Sequence, residues 1–286
     1  MHARINQTEL FYTTVGQGRP MLIMHGGLGL DHTYFRPWLD PLGERVQLVY
    51  YDHRGNGRSQ RPASFDGIGH DIWAADADAL RAYLGHERMI LFGHSYGGFL
   101  AQEYALCYGQ HLDGLILSCT APALDYPEVI RANSVARAGT PEQVDTVNRF
   151  LQGEPMASDE ALAEALHVIL PFYFKHYDPE VGKEIGKSIH YSAAASNHVF
   201  STCIPSFNTL PRLSEIAVPT LVIAGRDDWI TPPREGAERI HDALPDSEIV
   251  IFEDSGHFPF IEEQAKFLSI VGQWIGSLGG GHRKTG

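Results

Sequence analysis

The run Gly93-His94-Ser95-Tyr96-Gly97 stands where an apolar segment gives way to a helical one. Residues 88–92 read as a short buried strand, and residues 98–105 as a helix. A serine on so tight a strand-to-helix turn is held in a strained backbone with its hydroxyl thrust outward. Glycines flank it because a Cβ would clash inside the turn. Such a turn belongs at the edge of a sheet, and the rest of the chain has to supply that sheet.

Strands alternate with helices on both sides of the turn, which predicts an α/β fold with a mostly parallel sheet covered on both faces. Residues 3–15 alternate as an antiparallel edge hairpin, and residues 21–24, 46–51, 114–118, 218–224 and 247–252 read as further strands. From 68 to 84 the positions Ile72, Ala75, Ala79 and Tyr83 recur at helical spacing, and Gly85 sits where a C-cap belongs. A last helix is expected over 259–277. Between 120 and 205 no strand signal appears, and Pro141, Pro155, Pro171 and Pro179 interrupt helical stretches. An unstructured loop of that length does not fit a compact domain, so the segment reads as a helical insertion. The expected organisation is a core domain from residues 1–119 and 206–278, a helical cap at 120–205, and a flexible tail at 279–286.

The chain has 286 residues and a net charge of −13, which opposes nucleic-acid binding because a phosphate backbone needs a basic face. Cys107, Cys119 and Cys203 are too scattered for a disulfide framework or a zinc knuckle and read as buried thiols. The opening residues lack the apolar run of a secretory leader, and no segment approaches membrane-spanning length. These features predict a cytoplasmic protein, monomeric or homodimeric. No metal-ligand spacing is found, and neither metal nor cofactor is expected.

Ligands of open parallel sheets bind beyond the C-terminal ends of the strands. After residues 218–224 comes Gly225-Arg226-Asp227-Asp228-Trp229-Ile230-Thr231-Pro232, and after 247–252 comes Glu253-Asp254-Ser255-Gly256-His257. Serine, acid and histidine therefore follow in the order of a nucleophile-elbow hydrolase, each at the same sheet edge. Ser95 needs a base to become nucleophilic, His257 can take its proton, and a buried aspartate can fix the imidazole tautomer. Either Asp227 or Asp228 fits by position. The Tyr96 amide, next after the nucleophile, is one expected oxyanion donor, and the glycine loop His25-Gly26-Gly27-Leu28-Gly29 follows a strand where the second belongs. His94 is expected to pack under the turn, His25 to anchor the glycine loop, and His53, His70, His86, His111 and His241 to lie at the surface or at caps.

With Gly93 to Gly98, the Gly-x-x-Asp-x-x-x-Pro run ending at Pro232, and Gly256-His257, the chain resembles the α/β-hydrolase fold over nearly its whole length. The resemblance implies an eight-stranded sheet, selects Asp228 as the triad acid, and makes Gly27 the second oxyanion donor. The His-Gly-Gly loop and Asp52-His53-Arg54-Gly55-Asn56-Gly57-Arg58-Ser59 are similar to the proline iminopeptidase branch. That branch implies an acidic cap residue to hold a substrate's free amine, and Ser196 stands where its glutamate would be. The missing charge directs the sequence reading to a carboxylic ester or lactone as the substrate, with an aminopeptidase or a non-catalytic ligand-binding protein as alternatives. Apolar cap residues, Phe150, Leu166, Ile169 and Phe200 among them, imply a roomy cavity suited to a macrocyclic lactone, and overall similarity extends to macrolide-cleaving esterases. Leu28, His198, Phe172 and Tyr173 are the expected substrate contacts.

Overall fold

The computed structural model describes residues 1–27 and 29–278. Leu28 and the expected tail at 279–286 lie outside the described residues. The strands β1 (His2–Ile5), β2 (Thr8–Val15), β3 (Pro20–Met24), β4 (Gln47–Tyr51), β5 (Met89–His94), β6 (Leu112–Ser118), β7 (Thr220–Gly225) and β8 (Ser247–Phe252) form one sheet. Its order is β1-β2-β4-β3-β5-β6-β7-β8, antiparallel through β1, β2 and β4 and parallel from β4 onward.

Successive strand residues alternate between two apolar layers. Leu22, Leu91, Leu117 and Val222 join one core with Trp73, Leu80, Phe99 and Leu100, whereas Met21, Ile23, Phe92 and Ile223 join the other with Phe260, Phe267 and Trp274. Period-2 alternation thus buries both faces, as a parallel sheet requires. Helices α1 (His70–Tyr83) and α2 (Tyr96–Tyr108) cover the first face. Gly85, at φ +79°, ends the α1 segment, its amide donating to Ala82 O and the next amide to Arg81 O.

Residues 120–205 hold α3 (Pro127–Arg137), α4 (Pro141–Leu151), α5 (Asp159–Ile169), α6 (Pro179–Ser188) and α7 (Ala193–His198), with no strand among the described residues. Prolines at the first turns of α3, α4 and α6 start helices, since the missing N–H would be unpaired there anyway. The ends of the segment meet where Ala123 pairs with Asn208 and the Thr209 amide donates to Pro122 O. After β7 comes α8 (Ala237–Ala243), a short crossover that sequence periodicity did not single out. The expected last helix is two, α9 (Pro259–Glu262) and α10 (Gln264–Ser277), broken at Glu263. No helix among the described residues is long and apolar enough to cross a membrane. Cys119 and Cys203 are buried, but Cys107 is exposed, contrary to expectation, because it lies on the outer side of α2.

Candidate active site

Ser95 sits between β5 and α2 at φ 56° and ψ −124°, a conformation that side chains other than glycine rarely adopt. Neighbours hold it there. The Ser95 amide donates to Ser118 O at 3.0 Å, and its carbonyl accepts from Thr120 Oγ1 at 2.8 Å and from the Gly98 amide at 2.9 Å. The flanking glycines are sterically required: a Cβ on Gly97 would overlap the carbonyl oxygen of Met24, and one on Gly93 would stand 2.5 Å from Gly97 O. The strain, of order 1–3 kcal/mol, is maintained by these contacts.

Of the two adjacent aspartates, Asp228 is the one that meets His257. Its Oδ2 lies 2.7 Å from His257 Nδ1, and both side chains are buried. Thr231 Oγ1 and the Ile230 and Thr231 amides donate to the same carboxylate. Burial is the largest influence on Asp228 and pushes its carboxyl up; the charge and hydrogen bond of His257, with the Thr231 donors, outweigh it and hold the group below its ordinary range. Asp227 faces away and pairs with Lys175 at 3.2 Å and Arg137 at 3.8 Å. Ser95 and His257 line the same cavity. No hydrogen bond joins them among the described residues, and such bonds commonly close only around substrate.

Tyr96 begins α2, so its amide has no intrahelical carbonyl to meet. The glycine loop passes directly over the nucleophile: a Cβ on Gly26 would stand 2.6 Å from that of Ser95, and Gly27 lines the cavity at φ +62°. A hydrogen-bond relay ties this loop to His257. The Gly26 amide donates to Tyr34 Oη at 2.6 Å, the Tyr34 hydroxyl donates to His94 Nδ1 at 2.8 Å, and His94 Nε2 donates to His257 O at 2.9 Å. Burial holds His94 well below the ordinary imidazole range, consistent with the neutral tautomer this relay needs. His25 does anchor its loop, with Nδ1 at 2.9 Å from Gly26 O. The expectation that His53 lies at the surface is corrected: it is buried against His25, its amide donating to His25 Nε2 and its own Nε2 to His25 O. Asn56 Oδ1 accepts from the Gly29 amide, so the 52–59 loop braces the glycine loop. No sequence signal marked Tyr34 or Thr120, because their partners are distant in the chain.

The helical 120–205 segment reaches His257 as well. The His257 amide donates to Tyr173 O at 2.6 Å, and Glu262 accepts from the Gly256, Lys175 and His176 amides. Two apolar lobes meet over Ser95, both lined by Gly27, Leu166 and Tyr173. The first runs under Phe150, Ile169, Phe200 and Trp229; the second runs between Leu30, Tyr34, Ile185 and His257. No carboxylate side chain is among the residues lining either lobe.

Of the expected substrate contacts, Tyr173 lines both lobes, and Leu28 lies outside the described residues. His198 is corrected: it faces away from the cavity, its Nε2 bonded to Ile68 O and its ring stacked on Phe65. Phe172 is also corrected, since it is buried behind the wall, edge-on to Trp229. Two buried clusters could be considered as metal ligands, His94 with Cys119 and His257, and Asp31 with His32 and Asp52. Several of their ligand atoms already have protein partners: both ring nitrogens of His94, Nδ1 of His257, Asp52 through the amide and Nδ1 of His32 and the Arg58 amide, and Asp31 through Thr33 and the His190 amide.

A family model described as alpha/beta hydrolase fold matches residues 19–264. The chain is 30% identical to a proline iminopeptidase of Saccharolobus solfataricus over 283 residues, covering 95% of this chain and 89% of the relative. A proline iminopeptidase of Pestalotiopsis fici is also 30% identical, over 91% of this chain and 93% of the relative. Among solved structures, the malate-bound thermophilic esterase from Thermogutta terrifontis has a TM-score of 0.74 at 26% identity, covering 95% of this chain and 94% of that one. These relatives correct the ester- or lactone-cleaving reading and the macrocyclic substrate with it, because the near-full-length matches at the higher identity are proline iminopeptidases. The physical reason is local. Ser196 is 1% exposed in α7 and lines neither lobe, so its lack of charge does not report on the cavity.

Proposed function

The chain belongs to the α/β-hydrolase fold family, and from that membership we propose that it is a serine aminopeptidase that releases a small cyclic or apolar residue, proline first, from a peptide N-terminus. The observation that carries this reading is the 30% identity, over 95% of the chain, to a proline iminopeptidase. The assembled Ser95, His257 and Asp228 set supports it.

In this mechanism Ser95 Oγ attacks the carbonyl carbon of the N-terminal residue while His257 takes the hydroxyl proton. The amides of Tyr96 and Gly27 receive the developing oxyanion. Asp228 stabilises the imidazolium, which then protonates the leaving nitrogen and frees the shortened peptide. Water, deprotonated by the same imidazole, hydrolyses the acyl-enzyme and restores Ser95. The leaving nitrogen must lie beside His257, which lines the second lobe, so the peptide departs there and the acyl residue occupies the first. Turnover of prolyl, alanyl and leucyl p-nitroanilides beside p-nitrophenyl butyrate tests the proposal. Prolyl anilide cleaved at least about tenfold better than the other anilides is expected, the discrimination that one pocket-sized apolar contact allows. Butyrate cleavage without any prolyl turnover would overturn it.

A further inference from the structure

Resting on the aminopeptidase reading, we infer that the second lobe binds the residue after the scissile bond, that it selects an apolar side chain there, and that Gly186 sets the size it admits. Ser95 and His257 both line this lobe. A peptide nitrogen that leaves toward His257 therefore carries the next residue's Cα and side chain into it. The wall it meets is mostly apolar: Leu30, Leu166, Leu170, Ile185, Ile189 and Phe258. No aspartate, glutamate, lysine or arginine is among the described residues that line it. The Tyr34 hydroxyl and both ring nitrogens of His94 are already engaged in the relay beneath the glycine loop. A charged side chain entering here would lose its water with no counter-charge to meet it, whereas an aliphatic one exchanges water for apolar contact.

Gly186 lies within α6, and Ile185 beside it and Ile189 at the C-cap line the lobe with it. The spacing of Gly182, Ile185, Gly186 and Ile189 puts them on one stripe of the helix. Gly182 and Ile185 on that stripe are buried, so it faces inward. The two glycines differ in what holds them. A Cβ on Gly182 would overlap the Tyr177 hydroxyl, so packing requires the glycine, but a Cβ on Gly186 would meet nothing within 4 Å. Glycine weakens a helix interior relative to alanine, and no neighbour of Gly186 demands it. What the missing side chain leaves is space on the inward stripe of α6, where a larger residue would narrow the lobe. Of the described residues lining either lobe, His167 alone is exposed. It belongs to α5, which packs against α6. The second lobe is thus the one that reaches solvent, on its α5–α6 side, and a longer peptide can run out there.

Three substrates test this in the wild-type protein: the α-amides of prolyl-leucine, prolyl-glycine and prolyl-aspartate, with released proline measured by mass spectrometry. The kcat/KM should be at least about tenfold higher for the leucine amide than for the glycine amide, the worth of burying one aliphatic side chain. It should be lower for the aspartate amide than for the glycine amide. In Gly186→Leu the added side chain takes up the space, and the leucine-to-glycine ratio should fall to about two or less. Gly186→Ala, which favours the helix, should lower the ratio part of the way, so poor folding of Gly186→Leu would not hide the effect. Leucine and glycine amides cleaved within about twofold of each other by the wild-type protein would overturn the inference and leave the aminopeptidase standing. So would a ratio that neither variant changes. If proline is released from none of the three amides, the aminopeptidase reading fails and the inference falls with it.

Discussion

Asp228 shows how one residue is set apart from its neighbour by burial. Asp227 and Asp228 are adjacent, yet only Asp228 turns inward to His257 and the Thr231 donors, whereas Asp227 meets Lys175 at the surface. Asp228→Asn removes the acceptor that fixes the His257 tautomer. It should lower kcat on the order of 10³- to 10⁴-fold without moving the melting temperature by more than a few degrees. Asp227→Asn should change kcat less than about twofold, since an exposed ion pair contributes little. Steady-state kinetics and thermal melts on the two variants check this, and equal losses would show that the acid has been misassigned. Ser95, His257 and Asp228 were legible because each follows a strand in a fixed order. The Tyr34–His94 relay was not, since nothing local in residues 31–35 announces a partner sixty positions away.

At the level of elements, the cap and the catalytic loop are joined through α9. Glu262 collects the Gly256 amide of the histidine loop and the Lys175 and His176 amides of the cap. Burial is the main influence on this carboxyl and raises it, despite those donors. Glu262→Gln keeps the size but offers one acceptor oxygen where the carboxylate offers two. The kcat per fluorophosphonate-titrated site should fall about tenfold with KM changed little, because no lobe-lining residue moves; a loss of one charge-assisted hydrogen bond is of that order. A merely structural lesion would lower the titrated fraction and leave kcat per site intact. Element existence was readable from periodicity and caps, as the alternating strands and Gly85 show. The break at Glu263 was not, because the apolar spacing runs on through it while the carboxylate is drawn to the Ser255 hydroxyl and the Asp254 amide. The second lobe also escaped the sequence, being assembled from Leu30, Tyr34, Ile185 and His257, which lie far apart in the chain.

For the whole molecule, several imidazoles are folded into apolar surroundings. Burial, helped by neighbouring His25 and His257 respectively, holds His53 and His94 well below their ordinary range. Their unfolded counterparts titrate near pH 6.5. Below that pH the unfolded chain binds protons that the folded chain refuses, so stability present above it is lost as the pH falls. Each such group adds a slope of up to about 1.4 kcal/mol per pH unit. Asp52, where burial is opposed and outweighed by His32 and the Arg58 amide, and Asp228 extend the loss. Their stabilisation exists above the unfolded carboxylate pKa, near 3.9, and disappears as the pH falls through their lower folded values. Urea unfolding between pH 8 and pH 5 should show a plateau above pH 7 and a loss of about 2–4 kcal/mol by pH 5. A flat profile would mean that these imidazoles are not kept neutral by the fold.

The account stands or falls on a Ser95 acyl-enzyme formed from an N-terminal prolyl residue. Rapid acid quench of the protein with prolyl p-nitroanilide, followed by intact-mass and peptide mapping, measures it directly. The proposed aminopeptidase mechanism predicts a prolyl adduct on Ser95 in the wild-type protein, with neither adduct nor turnover above about 10⁻³ of wild type in Ser95→Ala. Prolyl anilide turnover undiminished in Ser95→Ala, or an adduct mapped to any other residue, would contradict it.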